Sequence, residues 1–196
     1  MPDSREEGLI DLALVRRSAQ GDREAFDTLV TRHQASVFRL ARYLTGNQDQ
    51  AEDVLQQTFL SAWQGAAGFR GESSIRTWLL TIARNAALTR RKQAAREPID
   101  ETPLEDLGIR AGWGGPDPEQ LAAAAEQRDR LAVALAGLVP EEREILTLRD
   151  LEGIAGDEVA TMLGLSLAAM KSRLHRARLS LAAAVRGGMT HATHRA

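Results

Sequence analysis

Between Glu97 and Pro118 helical periodicity fails, because four prolines (Pro98, Pro103, Pro116, Pro118) and four glycines (Gly108, Gly112, Gly114, Gly115) fall within 22 residues. A proline removes a backbone donor and clashes with the preceding turn, and glycine adds the largest backbone entropy to be lost, so no helix or strand runs through such a stretch. The chain of 196 residues is therefore expected to fold as two bodies rather than one. The pattern predicts a helical domain at about 10–96, a flexible acidic linker at 97–117, a second helical domain at 118–186 and a frayed tail at 187–196.

Both bodies read as helical. The first strong pattern begins near Gly21-Asp22 and places Phe26, Leu29, Val30, Val37, Leu40, Ala41 and Leu44 on one face, with Gly46 as its C-terminal cap. Asp49, with Glu52 three residues on, reads as a variant capping box for a second helix that turns Val54, Leu55, Thr58, Phe59, Ala62 and Trp63 inward. Gly65, Gly68 and Gly71 interrupt, and Ser73-Ser74 cap a third helix with Ile75, Trp78, Leu79, Ile82, Ala83 and Ala86 as its buried stripe. After the linker, Asp117 and Pro118 start a helix that reaches Ala136. Another starts at Pro140, a short one spans about Asp157–Leu163 and stops at Gly164, and Ser166 caps the last, Leu167 to about Val185. No segment alternates as a strand. The expected fold class is all-α, two small helical domains joined by a flexible linker.

Composition closes several routes. Cysteine is absent, which excludes disulfides and thiolate metal sites. No apolar run approaches bilayer length, and Met1–Glu7 is polar and acidic, unlike a secretory signal, so a cytoplasmic protein without membrane insertion is expected. His191 and His194 lack further ligands, and neither metal nor cofactor is expected. The net charge of −2 hides a segregation that matters more. From Arg84 to Arg96 there are five basic residues and no acid, from Glu97 to Glu119 seven acids against Arg110 alone, and from Lys171 to Arg186 again five basic residues and no acid.

The second basic segment lies on the last helix. Met170, Leu174, Ala177 and Leu181 form one apolar stripe, and a projection of 100° per residue sets Ala168, Ser172 and Arg176 opposite it, flanked by Ala169, Lys171, Arg173, His175 and Arg178. Helix, glycine turn and capped second helix is the helix-turn-helix plan, whose second helix enters the major groove of DNA. Small residues on the outer face permit close approach, although a solvated basic helix has the same composition.

Residue identity goes further. Leu138-Val139-Pro140-Glu141-Glu142-Arg143-Glu144-Ile145-Leu146, Glu152-Gly153, Glu158-Val159-Ala160, Leu163-Gly164-Leu165-Ser166 and Lys171-Ser172-Arg173-Leu174-His175-Arg176-Ala177-Arg178 together resemble region 4 of the sigma-70 family. Ala51-Glu52-Asp53-Val54-Leu55-Gln56-Gln57-Thr58-Phe59-Leu60-Ser61-Ala62-Trp63 resembles region 2.2, and Phe69-Arg70-Gly71-Glu72-Ser73-Ser74-Ile75-Arg76-Thr77-Trp78 through Asn85 resembles its −10-reading part. The likeness covers about residues 10–94 and 118–184 and leaves no room for the extra domains of housekeeping members, so the chain resembles the short, extracytoplasmic-function class. Two departures stand out: Ala155-Gly156 where the family usually has Ser-Tyr, and Ala169-Met170 where it usually has Thr-Val.

The resemblance implies a promoter-reading subunit of bacterial RNA polymerase that catalyses nothing. It implies −35 contacts from Ala168, Ala169, Lys171, Ser172, Arg173, His175, Arg176 and Arg178. It implies −10 contacts from Phe69, Arg70, Gly71, Ser73, Ser74, Arg76, Arg84, Asn85, Arg90 and Arg91, with amides, hydroxyls and charge suited to a flipped base and its phosphates. Trp78 shares a stripe with Ile75, Leu79 and Ile82 and reads as core. Glu52, Asp53, Gln56 and Gln57 form a carboxylate-and-amide face that suits a basic partner, in this family the β′ coiled coil, though such a face also suits solvent. The β flap, promoter DNA and an anti-sigma factor are the other implied partners. In the family the linker threads towards the polymerase active-site channel, where its acids would fit, and a solvated spacer explains them equally well. A recombinase would need a catalytic cluster, and a response regulator a strand-containing domain; the residues show neither.

Overall fold

The computed structural model describes the backbone of residues 4–94 and 131–192 and the side chains of 6–91 and 131–186. Every regular element among the described residues is helical. The expected linker 97–117, the Asp117-Pro118 helix start and the side chains of the tail lie outside them.

The N-terminal body is built on α2 (Arg23–Thr45). Asp22 accepts a hydrogen bond from the Ala25 amide at 3.0 Å, and Gly46 closes the helix at φ 72°, a left-handed turn that a side chain would strain. Leu29, Val37, Leu40 and Ala41 are at most 1% exposed. They pack against Ala51, Val54, Phe59 and Ala62 of α3 (Gln48–Gly65) and Ile75, Leu79, Leu80 and Ala83 of α4 (Ile75–Ala94). Phe26 sets its ring edge-on to Phe59 and Trp63, with centroids 6.3 and 5.0 Å apart. Trp78 is half-buried against this core and Phe69, as its stripe predicts.

Two expectations need correction here. The cap of α3 is Asn47, which accepts from the Gln50 amide at 3.0 Å, rather than a box at Asp49 and Glu52. A helix also precedes the first strong pattern: α1 (Ser4–Ala19) lies along α2. Its buried face mixes Leu14 and Val15 with Asp11 and Ser18, so no apolar stripe is legible there. Asp11 accepts from Arg32 Nε at 2.7 Å and lies 2.8 Å from His33 Nε2, both on α2.

In the C-terminal body a helical stretch at 131–136 leads through a turn to α5 (Pro140–Leu146), where Pro140 occupies the first turn and Glu141 and Glu142 complement the dipole. A π-helical turn, Thr147–Leu151, continues it, with the Glu152 amide donating to Thr147 O at 2.8 Å. Then come α6 (Gly156–Leu163), the left-handed Gly164 and α7 (Leu167–Ala192), which runs past the expected end at Val185. Ser166 Oγ accepts from the Ala169 amide at 3.2 Å, the cap expected there. Leu135, Ile145, Leu148, Val159, Met170, Leu174 and Ala177 form the core. This is a helix-turn-helix.

The two departures from the family pattern meet in space. An added Cβ at Gly156 would lie 2.9 Å from Met170 Cε, so the longer Met170 fills volume that a side chain at 156 would claim. Ala155 offers no side-chain cap to α6, as its identity predicts.

The halves do not stand apart. Arg143 of α5 donates to Tyr43 O at the end of α2 at 3.3 Å, and also to Leu138 O and Ala136 O. Apolar residues of both bodies belong to one continuous cluster. Sequence reading, which finds only a linker between them, expects semi-independent domains.

Burial pushes the Asp11 carboxyl up, but hydrogen bonds and charge from His33 and Arg32 outweigh it and hold it below its usual range. A carboxyl depressed in the folded state stabilises above its unfolded pKa, about 4, and loses that contribution as pH falls towards its lower folded value. Asp11→Asn should lower stability by about 2–3 kcal/mol at pH 7, since it takes the carboxylate away from the Arg32 guanidinium and the buried His33 ring. The gap between variant and parent should narrow below about pH 4 in urea melts; a constant gap would remove the ionic role of Asp11. Gly156→Tyr should cost about 1–3 kcal/mol through its clash with Met170. Met170→Val in the same chain should recover at least about 1 kcal/mol by thermal melting, and strict additivity would mean the two sites do not compensate.

Candidate nucleic-acid interface

The outer face of α7 is the clearest surface. Ala168, Ala169, Lys171, Ser172, His175 and Arg176 are exposed, and Arg173 is half-buried. Met170, Leu174 and Ala177 turn inward at 2%, 7% and 0% exposure, which fixes the helix rotation and leaves the small and basic residues outward. Arg178, expected on the same surface, is held on its flank by Asp150 through two hydrogen bonds of 2.9 and 2.7 Å. That bond raises its already high pKa. Its guanidinium is an anchored cation rather than a free reader.

The region expected to read −10 is less uniform. Phe69 packs on Trp78 and is half-buried. Arg70 is exposed, its 3.9 Å approach to Glu72 being a solvated surface pair of little energetic weight. Gly71 takes φ 76°, which turns the loop back towards α4. Ser74 caps α4: its Oγ accepts from the Thr77 amide at 3.0 Å and lies 2.9 Å from Thr77 Oγ1. Ser73 Oγ donates to Ser74 O at 3.3 Å. Asn85 and Arg91 are exposed. The Ser74 hydroxyl therefore serves the helix, and removing it would fray α4 before it altered any contact to a base.

Three of the expected −10 arginines already hold carboxylates. Arg76 donates to Glu152 Oε2 at 2.5 Å and to Ser36 Oγ at 3.3 Å. Arg84 Nε donates to Glu144 Oε1 at 2.6 Å, with both side chains largely buried. Arg90 pairs with Asp53 at 2.6 Å, which joins the basic surface to the acidic face on α3. On that face Glu52 accepts from Gln48, Gln57 donates to Ser61, and Gln56 is exposed.

Sequence reading missed Arg39, Glu144, Glu152 and Glu158. Arg39 Nε lies 2.5 Å from Glu152 Oε1, and Thr77 Oγ1 donates to Glu158 at 3.3 Å. The Glu152 side chain has no exposed surface and carries two guanidiniums. Its hydrogen bond raises the Arg39 pKa against the effect of burial. These partners lie 60 to 113 residues apart, so no local motif announces them. Among the described residues no group of His, Cys, Asp or Glu could hold a metal ion, and no helix is long and apolar enough to cross a membrane.

Comparison with known proteins agrees with this geometry. Residues 29–97 match the family model of Sigma-70 region 2, and residues 128–181 that of Sigma-70, region 4. The ECF RNA polymerase sigma-E factor of Haemophilus influenzae is 33% identical over 178 residues, 88% of this chain and 93% of its own length. Among solved structures, CnrH in complex with the cytosolic domain of CnrY superposes with a TM-score of 0.65 at 28% identity, over 91% of this chain and 98% of CnrH. The sigma factor RpoE of Bartonella quintana, in complex with the anti-sigma factor NepR, also gives 0.65 at 25% identity, over 82% of this chain and 96% of its own. With both region models matched in order on an all-helical, two-domain fold, the chain belongs to the extracytoplasmic-function sigma factors of the sigma-70 family, which direct bacterial RNA polymerase to promoters.

Proposed function

We propose that this sigma factor reads the −35 element with Ala168, Ala169, Lys171, Ser172, Arg173, His175 and Arg176 of α7, with Arg178 steadying the flank. The −10 strand is read from Phe69, Arg70, Gly71, Ser73 and Ser74 in the loop before α4 and from Arg76, Arg84, Asn85, Arg90 and Arg91 on α4. Glu52, Asp53, Gln56 and Gln57 meet core polymerase, whose β′ coiled coil and β flap supply the two docking points. The domain limits are about 10–96 and 118–186, with α1 added to the first. The protein works inside the cytoplasm, has no catalysis of its own, and is held in check by an anti-sigma factor, as the partner-bound state of the RpoE relative suggests.

One observation carries the −35 reading: the buried Met170–Leu174–Ala177 stripe turns a basic face with small residues at 168, 169 and 172 to solvent. That combination suits the floor of a major groove, where arginine can take guanine through two hydrogen bonds.

Arg176→Ala should cost about 1–3 kcal/mol at preferred sites and relax the choice at one base position. Lys171→Ala should weaken all promoters alike and reduce the salt slope by about one unit. A randomised −35 library at two salt concentrations separates the two, and identical sequence profiles for Arg176→Ala and the parent would make Arg176 a phosphate clamp. On the other face, Asp53→Arg should weaken capture of core polymerase while helicity is kept. Arg90→Ala breaks the same ion pair without adding charge to α3, so it should leave capture near the parent's. Equal capture by Asp53→Arg and the parent would reduce that face to solvated surface.

A further inference from the structure

We infer that Leu179 is a further specificity-determining residue of α7, one that recognises the C5-methyl group of a thymine in the −35 major groove. The inference rests on the −35 reading proposed above. Leu179 follows Met170 by nine residues and Ser172 by seven. At 100° per residue it therefore faces away from the buried stripe and lies about 20° from Ser172 around the helix. It is 56% exposed, where Met170 on the opposite side is 2% exposed. Arg176 precedes it by three residues, so the two are neighbours on the helix surface. Those three residues advance the helix by about 4.5 Å, close to the step of about 3.4 Å between base pairs. With Arg176 over one base pair, Leu179 falls over the next. The polar side chains beside it are engaged elsewhere: Arg178 is bound to Asp150, and Ser180 Oγ donates to Glu142 Oε1 at 3.1 Å. Ala182 and Ala183, exposed one turn on, are too short to hold the leucine away from DNA. An alkyl chain is all that α7 offers at this step.

Chemistry then selects the base. The major-groove edges of guanine, cytosine and adenine carry hydrogen-bond donors and acceptors, and thymine alone adds a methyl group. A leucine set against the first three takes water from polar atoms and returns no hydrogen bond, which costs affinity. Set against thymine, it buries one apolar group on another. The preference comes from rejecting three bases as much as from holding the fourth. The outer face of α7 thus reads by two means, with hydrogen bonds from Ser172, His175 and Arg176 and an apolar contact from Leu179.

Holoenzyme assembled from the full chain and core polymerase, selected on a randomised −35 library, tests this. The parent should enrich thymine next to the position that Arg176→Ala relaxes. Leu179→Ala should lose that thymine and leave the Arg176 position unchanged. On duplex promoters carrying the selected −35 sequence, deoxyuridine in place of that thymidine removes only the methyl group. It should weaken binding by the parent about 3- to 5-fold, the effect of returning one methyl group to water, and leave binding by Leu179→Ala unchanged. The comparison of the two templates with the parent needs no variant, so it stands whatever the substitution does to folding. Equal binding of both templates by the parent would overturn the inference. So would a Leu179→Ala profile that keeps the thymine, or an equal loss on every sequence, which would set Leu179 against core polymerase instead. Failure of the −35 reading itself looks different: the parent would then select no sequence at −35, and both readings would fall.

Discussion

Helix α2 has to be covered on several sides at once, and most of the structure follows from how that is done. Leu29, Val37, Leu40 and Ala41 leave almost no surface to solvent, which three helices of the first domain provide between them. Burying each of the leucine and valine side chains contributes on the order of 2 kcal/mol relative to exposure, more than an exposed ion pair typically does. The same helix then presents Arg39 and the Tyr43 carbonyl to α5 and the turn after it. One element thus serves as the core of the first domain and the seat of the second.

The polar contacts are arranged by burial as much as by sign. Pairs on open surface, such as Arg70 with Glu72, add little, whereas Glu152 and Asp11 are shielded and each holds two basic partners. Shielded carboxylates of this kind are poor sources of net stability and strong sources of specificity: the wrong arrangement leaves a charge unpaired. Arg143 works similarly with neutral partners. Burial draws its pKa down, the charge of Arg91 adds to that effect, and its guanidinium is met by backbone carbonyls at the ends of two elements. A fold whose second domain docks through such groups has few alternative ways to dock.

How much of this could be read from the chain depends on the range of the interaction. The stripes of α2, α3 and α4, the Gly164 turn and the Ser166 cap are local patterns, and they are legible because each lies within a few turns of its own helix. Helix α1 is not, since Asp11 and Ser18 occupy core positions where a stripe would need apolar residues and are satisfied only by α2 and by Leu14 O. The start of α3 is displaced by two residues because Asn47 outcompetes Asp49 for the cap, a choice that depends on the path out of Gly46. The outward face of α7 was foreseeable from periodicity; the tethering of Arg178, Arg76, Arg84 and Arg90 by distant acids was not. Gly156 and Met170 look like two unrelated oddities in the chain and become one packing solution in space.

The central claim is that this fold gives core polymerase its promoter choice. Run-off transcription on genomic fragments, with core polymerase free of any other sigma factor, tests it most directly. Discrete transcripts should appear only when the protein is added, from a small subset of fragments sharing one pair of upstream elements. Absence of transcripts, together with a footprint made on duplex DNA by the protein alone, would contradict it and place the helix-turn-helix in a regulator that acts without polymerase.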